Sequence, residues 1–327
     1  MKLFAFALRE YDEKFYLDKI CKELNIEYSY TSDYPNLNNL HLAKGYDAVS
    51  IITNPTDSKM LDVLKGYGVK AISTRSIGYD HIDYEYAKSI GIKVCNVSYS
   101  PNSVANYTIM MILMACRKID YIMKKSALQD FSLNGNCGRE LSLSTVGVIG
   151  TGRIGEALIK HLSGFGCKIL AYDLYEKESV KKYAEYVSLD ELYANSDIIT
   201  LHVPGLPENN HMICTETIAK MKDGVILVNA ARGMLINTND LIAGLNSGKI
   251  GFAALDTFEN EKGLYYLSFQ DKVLPNTDFH LLNGMPNVML SPHMAFYTDE
   301  AVSDMVGNSV KGLLCAVNGE DSPFIVC

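Results

Sequence analysis

The 327-residue sequence lacks the features that mark several common classes of protein. It has no run of basic residues, and its formal net charge of −8 argues against nucleic acid or an anionic membrane surface as the main partner. The apolar run at residues 3–8 is followed at once by Arg9 and Glu10, so it is too short for a signal peptide or a membrane span. We therefore expect a cytoplasmic protein with no membrane partner, in which this run is a first buried strand.

The cysteines give no sign of a disulfide framework or of a metal site. All eight are widely scattered, and no two form the C-x-x-C pair that is typical of zinc sites and redox-active thiols. We expect no metal, and we expect most of these side chains to be small apolar fillers of a reduced protein. They are Cys21, Cys95, Cys116, Cys137, Cys167, Cys214, Cys315 and Cys327.

Short apolar runs alternate with segments of helical periodicity along nearly the whole chain, without a linker or an internal repeat. The runs are apolar at both alternating positions, as in strands that a parallel sheet buries on both faces. The length favours two domains, and the alternation predicts an α/β protein built from right-handed β-α-β units. The predicted strands are residues 2–8, 47–52, 69–73, 92–97, 146–149, 168–172, 197–202, 224–229, 251–256 and 287–291.

The segment 101–125 differs from the other predicted helices because it is apolar on nearly every face around residues 108–116. Such a helix must be buried on all sides, either within one subunit or between two. We therefore expect a homodimer that packs through this segment, with Met110, Met111 and Met114 as core residues.

The string V-G-V-I-G-T-G-R-I-G at residues 146–155 follows an apolar run and leads directly into a helical pattern. It places Gly150, Gly152 and Gly155 in the spacing G-x-G-x-x-G. In a dinucleotide-binding turn these glycines permit the tight turn, the approach of a pyrophosphate and close packing of helix and strand. The phosphates lie at the N-terminus of the helix that follows. By itself the string is weak evidence, so a second signal is needed.

Asp173 supplies the second signal. It comes directly after the predicted strand 168–172, eighteen residues past Gly155. A carboxylate at this place accepts hydrogen bonds from the adenosine ribose hydroxyls and repels a 2′-phosphate. Together the two signals predict an NAD site that prefers NADH to NADPH.

The C-terminal half contains side chains suited to hydride transfer to a 2-oxo acid. This chemistry needs a cation for the substrate carboxylate and carbonyl, a proton donor, and a group that keeps the donor protonated. Arg232 follows the predicted strand 224–229, at the end where open α/β sheets bind ligands. Its guanidinium can hold a carboxylate with two hydrogen bonds.

His293 lies in S-P-H-M-A-F-Y-T, just past another apolar run, and a histidine can act as acid and base near neutral pH. A carboxylate that is hydrogen-bonded to an imidazolium favours the charged form and fixes the ring orientation. The residues alone leave two candidates for that carboxylate, because both Glu259 and Glu261 follow the predicted strand 251–256.

The chain resembles the D-isomer-specific 2-hydroxyacid dehydrogenase family in four ordered strings: T-V-G-V-I-G-T-G-R-I-G, V-N-A-A-R-G, A-L-D-T-F-E-N-E and S-P-H-M-A-F-Y-T. The resemblance implies that Arg232, Glu261 and His293 are catalytic. In the family the glutamate lies five residues past the aspartate that ends its strand, which selects Glu261 over Glu259. The resemblance also implies cofactor contacts at Gly150, Gly152, Arg153, Ile154, Gly155, Asp173, Val203, Pro204, Asn209, Ala230, Ala231 and Asp256.

The same resemblance implies the architecture. We expect an α/β fold with two doubly wound parallel-sheet domains. One is a flavodoxin-like substrate domain of residues 1–100 and 299–327, and the other is a Rossmann NAD-binding domain of residues 101–298.

Further strings narrow the resemblance to one branch. The long connection before His293, with L-L-N-G-M-P-N-V, is similar to the D-lactate dehydrogenase branch. The strings I-S-T-R-S-I-G-Y-D-H-I-D and N-V-S-Y-S-P-N-S-V-A-N-Y-T most resemble bacterial D-lactate dehydrogenases, including the vancomycin-resistance type. This implies that the backbone N–H groups of Ile77 and Gly78 bind the substrate carboxylate beside Arg232, and that Tyr99 and Phe296 line the side-chain pocket.

The sequence departs from these relatives at two positions. Many D-lactate dehydrogenases carry a tyrosine near Ile52 that faces the substrate, so the shape of the pocket is left open. The vancomycin-resistance type tends to lack an acid at the position of Asp173, so this chain should prefer NADH more firmly.

The expected activity is NADH-dependent reduction of a 2-oxo acid to the D-2-hydroxy acid, with pyruvate as the first candidate. Larger acids (2-oxoisocaproate, phenylpyruvate, 2-oxoglutarate) are the alternative, because a methylene in an apolar pocket changes discrimination by only about 1–3 kcal/mol. An NAD-sensing corepressor is a remote alternative, and no stretch resembles an added partner-binding extension. A formate dehydrogenase would carry a glutamine where Glu261 stands.

Overall fold

The computed structural model describes residues 1–261 and 263–327. The chain divides into two units, which we call unit 1 (Met1–Ser100 with Tyr297–Cys327) and unit 2 (Pro101–Phe296). The second division falls two residues before the expected return at residue 299. Within the described part of the chain, no helix combines the length and the apolar composition that crossing a membrane requires.

Unit 1 contains a five-stranded parallel sheet of order β2-β1-β3-β4-β5. This is the order of a flavodoxin-like doubly wound sheet. Its strands are β1 (Lys2–Ala5), β2 (Glu27–Tyr30), β3 (Ala48–Ile51), β4 (Ala71–Thr74) and β5 (Lys93–Cys95). Its first three helices are α1 (Lys14–Glu23), α2 (Ser58–Gly66) and α3 (Tyr84–Ser89), with a 3-10 turn at Leu40–Ala43.

Strand β1 is shorter than the predicted strand 2–8, and strand β2 was not predicted. The apolar run continues to Leu8, but Ala7 adopts a left-handed backbone conformation with φ of +49°, which ends the extended chain. Strand β2 lies at the edge of the sheet, and none of its four residues is fully buried. An edge strand of this kind lacks the continuous apolar run from which the other strands were recognised.

Unit 2 contains a seven-stranded parallel sheet of order β12-β11-β10-β9-β6-β7-β8. This is a Rossmann order, which reverses between β6 and β9. Its strands are β6 (Thr145–Ile149), β7 (Lys168–Tyr172), β8 (Glu185–Tyr186), β9 (Ile198–Leu201), β10 (Val225–Asn229), β11 (Ile250–Leu255) and β12 (Val288–Leu290). Its helices are α4 (Asn102–Arg117), α5 (Ile119–Ala127), α6 (Arg153–Leu162), α7 (Glu178–Lys181), α8 (Leu189–Asn195), α9 (Thr215–Lys220), α10 (Thr238–Ser247) and α11 (Thr277–Gly284).

Strand β10 shows why the apolar runs predicted parallel strands. Ile226 and Val228 pack into the hydrophobic core on one face of the sheet, and Val225 and Leu227 pack into the core on the other. All four side chains are buried because helices cover both faces. The exception in unit 2 is β8, a two-residue edge strand that was also missed.

The predicted helix 101–125 is two helices rather than one. Lys118 has a left-handed φ of +52°, which ends α4 and starts α5 in a new direction. Within the single chain, α4 is not buried on all sides: Met111 is buried, Met114 is half-buried, and Met110 is 39% exposed. Of the two alternatives, complete burial within one subunit is therefore wrong, and Met110 is not a core residue of the single chain.

The last helix, α12 (Asp299–Asn318), returns to unit 1. Its residues Val306, Val310 and Leu313 are buried in one hydrophobic cluster with Leu3 and Ala5 of β1. The first and last segments of the chain therefore share one core, which explains why unit 1 is discontinuous in sequence.

Candidate active site

The glycine-rich turn between β6 and α6 has no room for a side chain at two of its three glycines. Gly150 has a φ of +96°, and a Cβ atom on it would lie 2.6 Å from the carbonyl group of His202. A Cβ atom on Gly155 would collide with the carbonyl oxygen of Gly150. A Cβ atom on Gly152, by contrast, would meet nothing within 4 Å. The turn is therefore closely packed on the protein side and open on the side of Gly152.

The first turn of α6 offers hydrogen-bond donors to an anion. Gly152 is the N-cap residue, so no side chain caps the helix. The N–H groups of Arg153, Ile154 and Gly155 have no acceptor within the helix. Together with the positive end of the helix dipole, such groups form an anion site. The turn and the helix start fit the pyrophosphate of a dinucleotide.

Asp173 lies at the carboxyl end of β7 and is tied to the glycine-rich turn. Its Oδ2 accepts hydrogen bonds from the backbone N–H of Thr151 at 2.6 Å and from the Thr151 hydroxyl at 3.2 Å. Its Oδ1 accepts from the N–H of Tyr175 at 3.1 Å. Because a carboxylate has about four acceptor positions, this arrangement fixes the group and leaves acceptor capacity for ribose hydroxyls.

The other predicted cofactor residues follow β9, β10 and β11 on the same edge of the sheet. Val203 and Pro204 come two and three residues after β9, and Asn209 donates from its side chain to the Pro204 carbonyl at 2.9 Å. Ala230 and Ala231 come directly after β10. Asp256 comes directly after β11.

Arg232 is positioned by the turn that follows β10. The buried side chain of Asn229 accepts from the Ala231 N–H at 3.0 Å and donates to the Arg232 carbonyl at 2.9 Å. The guanidinium Nη1 donates to the Ala231 carbonyl at 2.8 Å. A Cβ atom on Gly205 would lie 3.0 Å from Cγ of Arg232, so the loop after β9 packs against the arginine stem.

Glu261 and His293 form a hydrogen-bonded pair. Oε1 of Glu261 lies 2.8 Å from Nδ1 of His293, and both side chains are about one quarter exposed. Oε2 of Glu261 accepts from the N–H of Phe258 at 3.1 Å, which fixes the carboxylate. A carboxylate can only accept from Nδ1–H, so the proton that is free to move is the one on Nε2. Within the described residues, no hydrogen-bond partner meets this Nε2.

Glu259, the alternative to Glu261, has other partners. Its Oε1 hydrogen-bonds Nε2 of His211, and its Oε2 accepts from the N–H of Thr238 at 2.8 Å. The backbone N–H of His211 donates to the Met234 carbonyl at 2.8 Å. Glu259 therefore connects the loops that follow β9, β10 and β11, and the pairing with His293 is made by Glu261.

Asp256 organises the loop that carries His293. Its carboxylate is completely buried and accepts from the Ser291 hydroxyl at 2.6 Å and from the backbone N–H groups of Met294 and Ala295, both at 2.9 Å. Burial raises the pKa of Asp256, although these hydrogen bonds oppose the rise. His293 itself has a left-handed φ of +53°. The predictions assigned Asp256 only a cofactor contact and missed this structural role.

Tyr266 is a second residue that the sequence analysis missed. Its hydroxyl donates to the backbone carbonyl of His293 at 2.8 Å, and the two rings lie 6.3 Å apart. The residue belongs to the irregular connection between β11 and α11, where no periodic pattern indicates which side chains face inward.

In unit 1, the turn after β4 presents two backbone N–H groups. The carbonyls of the turn accept hydrogen bonds from neighbouring groups of unit 1. The Asn96 side chain donates to the Ile77 carbonyl at 2.9 Å, and the backbone N–H of Val97 donates to the Ser76 carbonyl at 3.2 Å. The Ser76 hydroxyl donates to the Gly78 carbonyl at 2.6 Å. Within the described residues, no acceptor meets the N–H of Ile77 or Gly78. Such paired N–H groups can bind an anion.

Two predicted pocket residues belong to different units. Tyr99 is half-buried in unit 1, between β5 and α4, and Phe296 is the half-buried last residue of unit 2. The part of the chain that the structure describes contains no group of three or more His, Cys, Asp or Glu side chains that could hold a metal ion.

Comparison with known proteins identifies the family. Residues 109–295 match the model for the NAD-binding domain of D-isomer specific 2-hydroxyacid dehydrogenases. This match covers more than half of the chain and includes the glycine-rich turn, Arg232, Glu261 and His293. The chain belongs to the D-isomer specific 2-hydroxyacid dehydrogenase family. The resemblance that the motifs indicated is therefore confirmed.

Individual relatives resemble this dehydrogenase over nearly its whole length. An aromatic 2-oxoacid reductase of Clostridium sporogenes is 46% identical over 96% of this chain and 95% of its own. A D-lactate dehydrogenase of Lactiplantibacillus plantarum is 40% identical over 95% of both chains. The NAD-complexed D-isomer specific 2-hydroxyacid dehydrogenase of Lactobacillus delbrueckii subspecies bulgaricus is 30% identical, with a TM-score of 0.86 over 100% of both chains.

These findings establish that the protein is an oxidoreductase whose cofactor is NAD, and that its fold consists of two parallel-sheet α/β domains. Unit 2 is the NAD-binding domain. The residues that would hold the cofactor are the glycine-rich turn, the uncapped start of α6 and Asp173.

We predict that Asp173→Ala relaxes the preference for NADH over NADPH. The carboxylate should repel a 2′-phosphate, so its loss should lower the ratio of kcat/KM for NADH to that for NADPH by about tenfold or more, which corresponds to about 1.4 kcal/mol. Initial rates with both cofactors measure the ratio. Glu176→Ala, which removes a carboxylate from an exposed position three residues away, is the matched control. An unchanged ratio in Asp173→Ala would refute the role of Asp173.

Proposed function

We propose that this dehydrogenase reduces a 2-oxo acid to the D-2-hydroxy acid, with His293 as the proton donor, Glu261 as its partner and Arg232 as the carboxylate clamp. The observation that carries the proposal is the 2.8 Å contact between Glu261 Oε1 and His293 Nδ1, which leaves Nε2 as the atom for proton exchange. Arg232 supports it, because it follows the strand that neighbours β11 in the same sheet.

His293 acts as a general acid in the direction of reduction. The imidazolium donates the Nε2 proton to the carbonyl oxygen of the substrate as negative charge develops there. Glu261 stabilises the imidazolium through Nδ1–H and holds the ring in one orientation. When the reaction runs toward oxidation, the neutral ring accepts the hydroxyl proton at the same atom.

Arg232 binds the substrate carboxylate through its guanidinium, and its charge also polarises the neighbouring carbonyl group. In the same proposal, the backbone N–H groups of Ile77 and Gly78 bind the carboxylate too. NADH, when bound, supplies the hydride that reduces the carbonyl carbon. The turn that Asn229 holds keeps Arg232 in place, so little reorganisation is needed when the substrate binds.

We predict that His293→Gln lowers kcat by about 10²–10⁴-fold, because glutamine can hydrogen-bond the carbonyl oxygen but cannot donate a proton to it. The KM for NADH should stay unchanged. Stopped-flow or steady-state NADH oxidation measures both constants. His280→Gln, at an exposed position, is the control. Glu261→Gln should also lower kcat, because a neutral amide stabilises the imidazolium less than a carboxylate does, whereas Glu259→Gln, which leaves the contact with His293 intact, should lower it less. Near-full turnover by His293→Gln would exclude the mechanism.

The substrate proposal is a 2-oxo acid with a large side chain, of the phenylpyruvate type, with pyruvate as the second candidate. The 46% identity to the aromatic 2-oxoacid reductase favours the large 2-oxo acid. The 40% identity to the D-lactate dehydrogenase favours pyruvate. Ile52, which is 7% exposed directly after β3, also favours the first. An isoleucine is smaller than the tyrosine that many D-lactate dehydrogenases carry near this position, so it would leave more room.

Initial rates with phenylpyruvate, 2-oxoisocaproate, 2-oxoglutarate and pyruvate test the substrate proposal. We predict that kcat/KM for phenylpyruvate exceeds that for pyruvate by roughly tenfold or more, as a well-filled apolar pocket permits. Ile52→Tyr should lower the ratio of the two constants by reducing the available volume. A higher kcat/KM for pyruvate would replace the first candidate with the second.

We propose that the dehydrogenase is a homodimer that packs through α4, α5 and the segment that follows. Met123, Leu128, Phe131 and Leu133 are 65–89% exposed in the single chain. Large apolar side chains that are exposed together favour an interaction site. A second copy of the chain would cover this surface.

We predict a mass of twice 36.3 kDa by light scattering at micromolar concentration. Leu128→Asp combined with Phe131→Asp should shift the mass toward the monomer, because each carboxylate would be buried without a partner. Val273→Asp, at an equally exposed apolar position elsewhere in unit 2, should not shift it. A monomeric wild type would rule out the dimer.

A further inference from the structure

The proposed mechanism leaves one buried cation of unit 1 without a role. Arg75 comes directly after β4 and is only 1% exposed, which makes it the largest fully buried side chain of the described residues. A buried guanidinium is costly unless its charge and its N–H groups are matched. Its position in the fold therefore requires an explanation.

Glu13 neutralises the charge of Arg75. Arg75 Nε donates to Glu13 Oε1 at 2.9 Å and Nη2 donates to Oε2 at 3.3 Å, so the pair is bidentate. Glu13 is 0% exposed, and its Oε2 also accepts from the backbone N–H of Arg9 at 2.9 Å. Burial raises the pKa of Glu13, but the charges of Arg75 and Arg9 outweigh this effect and lower it overall. Glu13 is therefore a carboxylate at neutral pH.

The other hydrogen bonds of Arg75 connect the carboxyl ends of two neighbouring strands. Nη2 donates to the carbonyls of Phe6 and Ala7, at 3.1 and 2.9 Å, just past β1. Nη1 donates to the hydroxyl of Ser50 in β3 at 3.0 Å, and that hydroxyl in turn contacts the one of Ser309 in α12. One planar group thus links the segment after β1, strand β3 and, through Ser50, helix α12.

Arg75 also adjoins the turn whose N–H groups are open. Its backbone N–H donates to the Ile51 carbonyl at 2.8 Å, and the next three residues are Ser76, Ile77 and Gly78. The direction of the N–H groups of Ile77 and Gly78 therefore depends on the backbone conformation at Arg75. Because the guanidinium and the backbone N–H of Arg75 both make hydrogen bonds, they restrain the direction of the backbone that follows.

We propose that Arg75 and Glu13 are positioning residues for substrate binding, and that their buried ion pair aims the N–H groups of Ile77 and Gly78 at the substrate carboxylate. This inference rests on the proposed function. A lysine cannot replace the arginine, because an ammonium group has no planar fork with which to reach Glu13, Ser50 and two carbonyls at once.

Arg75→Lys tests the inference in the full-length enzyme. The KM for the 2-oxo acid should rise by about tenfold or more, whereas kcat should change by less than about threefold, because ground-state and transition-state binding of the carboxylate are lost together. The Kd for NADH, measured by its fluorescence, should not change, since the cofactor binds unit 2. Glu13→Gln, which preserves the shape of the partner, should shift the same constant and keeps the test available if Arg75→Lys does not fold.

Leu64→Ala separates positioning from general stability. Leu64 is 1% exposed in the last turn of α2, and its loss should lower Tm without touching the turn after β4. We expect it to leave the KM for the 2-oxo acid unchanged. If Arg75→Lys and Glu13→Gln lower Tm but leave this KM unchanged, or if Leu64→Ala raises it equally, the inference is overturned while the proposed function stands. A wild type that reduces no 2-oxo acid overturns both.

Discussion

The parallel alignment of the strands is the constraint on which the candidate site depends. In a parallel sheet every strand ends at the same edge, so residues far apart in sequence are brought to one place by backbone geometry. In unit 2 this edge carries the glycine-rich turn after β6, Asp173 after β7, Arg232 after β10 and His293 after β12. In unit 1 the corresponding edge of the other sheet carries the turn of Ile77 and Gly78 after β4.

Buried polar groups hold these edges in place. Asn229 fixes the turn of Arg232, Asp256 fixes the loop of His293, and Arg75 with Glu13 fixes the ends of β1, β3 and β4. Each of these side chains lies near the end of a strand, where backbone N–H and carbonyl groups no longer have partners in the sheet. The buried side chain makes hydrogen bonds to these backbone groups instead. Breaking a buried ion pair typically costs about 3–5 kcal/mol, which indicates how firmly such contacts hold the chain.

The two glutamates of the string E-N-E, at residues 259–261, make contacts of different kinds. Glu259 and Glu261 are two residues apart, yet one connects three loops through His211 and Thr238 and the other pairs with His293. Asn260, between them, has a left-handed φ of +60°, so the chain is not extended there and the two side chains need not point the same way. One carboxylate therefore faces the loops, and the other faces the imidazole.

The sequence by itself determined the fold class, the cofactor and the family, because these depend on local signals: apolar runs, glycine spacing and short ordered motifs. It did not reveal the edge strands β2 and β8, whose half-exposed residues lack such runs, or the break at Lys118, which a left-handed backbone creates inside an apolar segment. The family resemblance had selected Glu261 over Glu259, but only the tertiary structure shows its contact with His293. Only the tertiary structure decided that Asp256 holds the loop of His293 and that Arg75 pairs with Glu13, 62 residues away. Contacts between distant residues depend on where the strands end in space, and residue spacing along the chain carries no record of that.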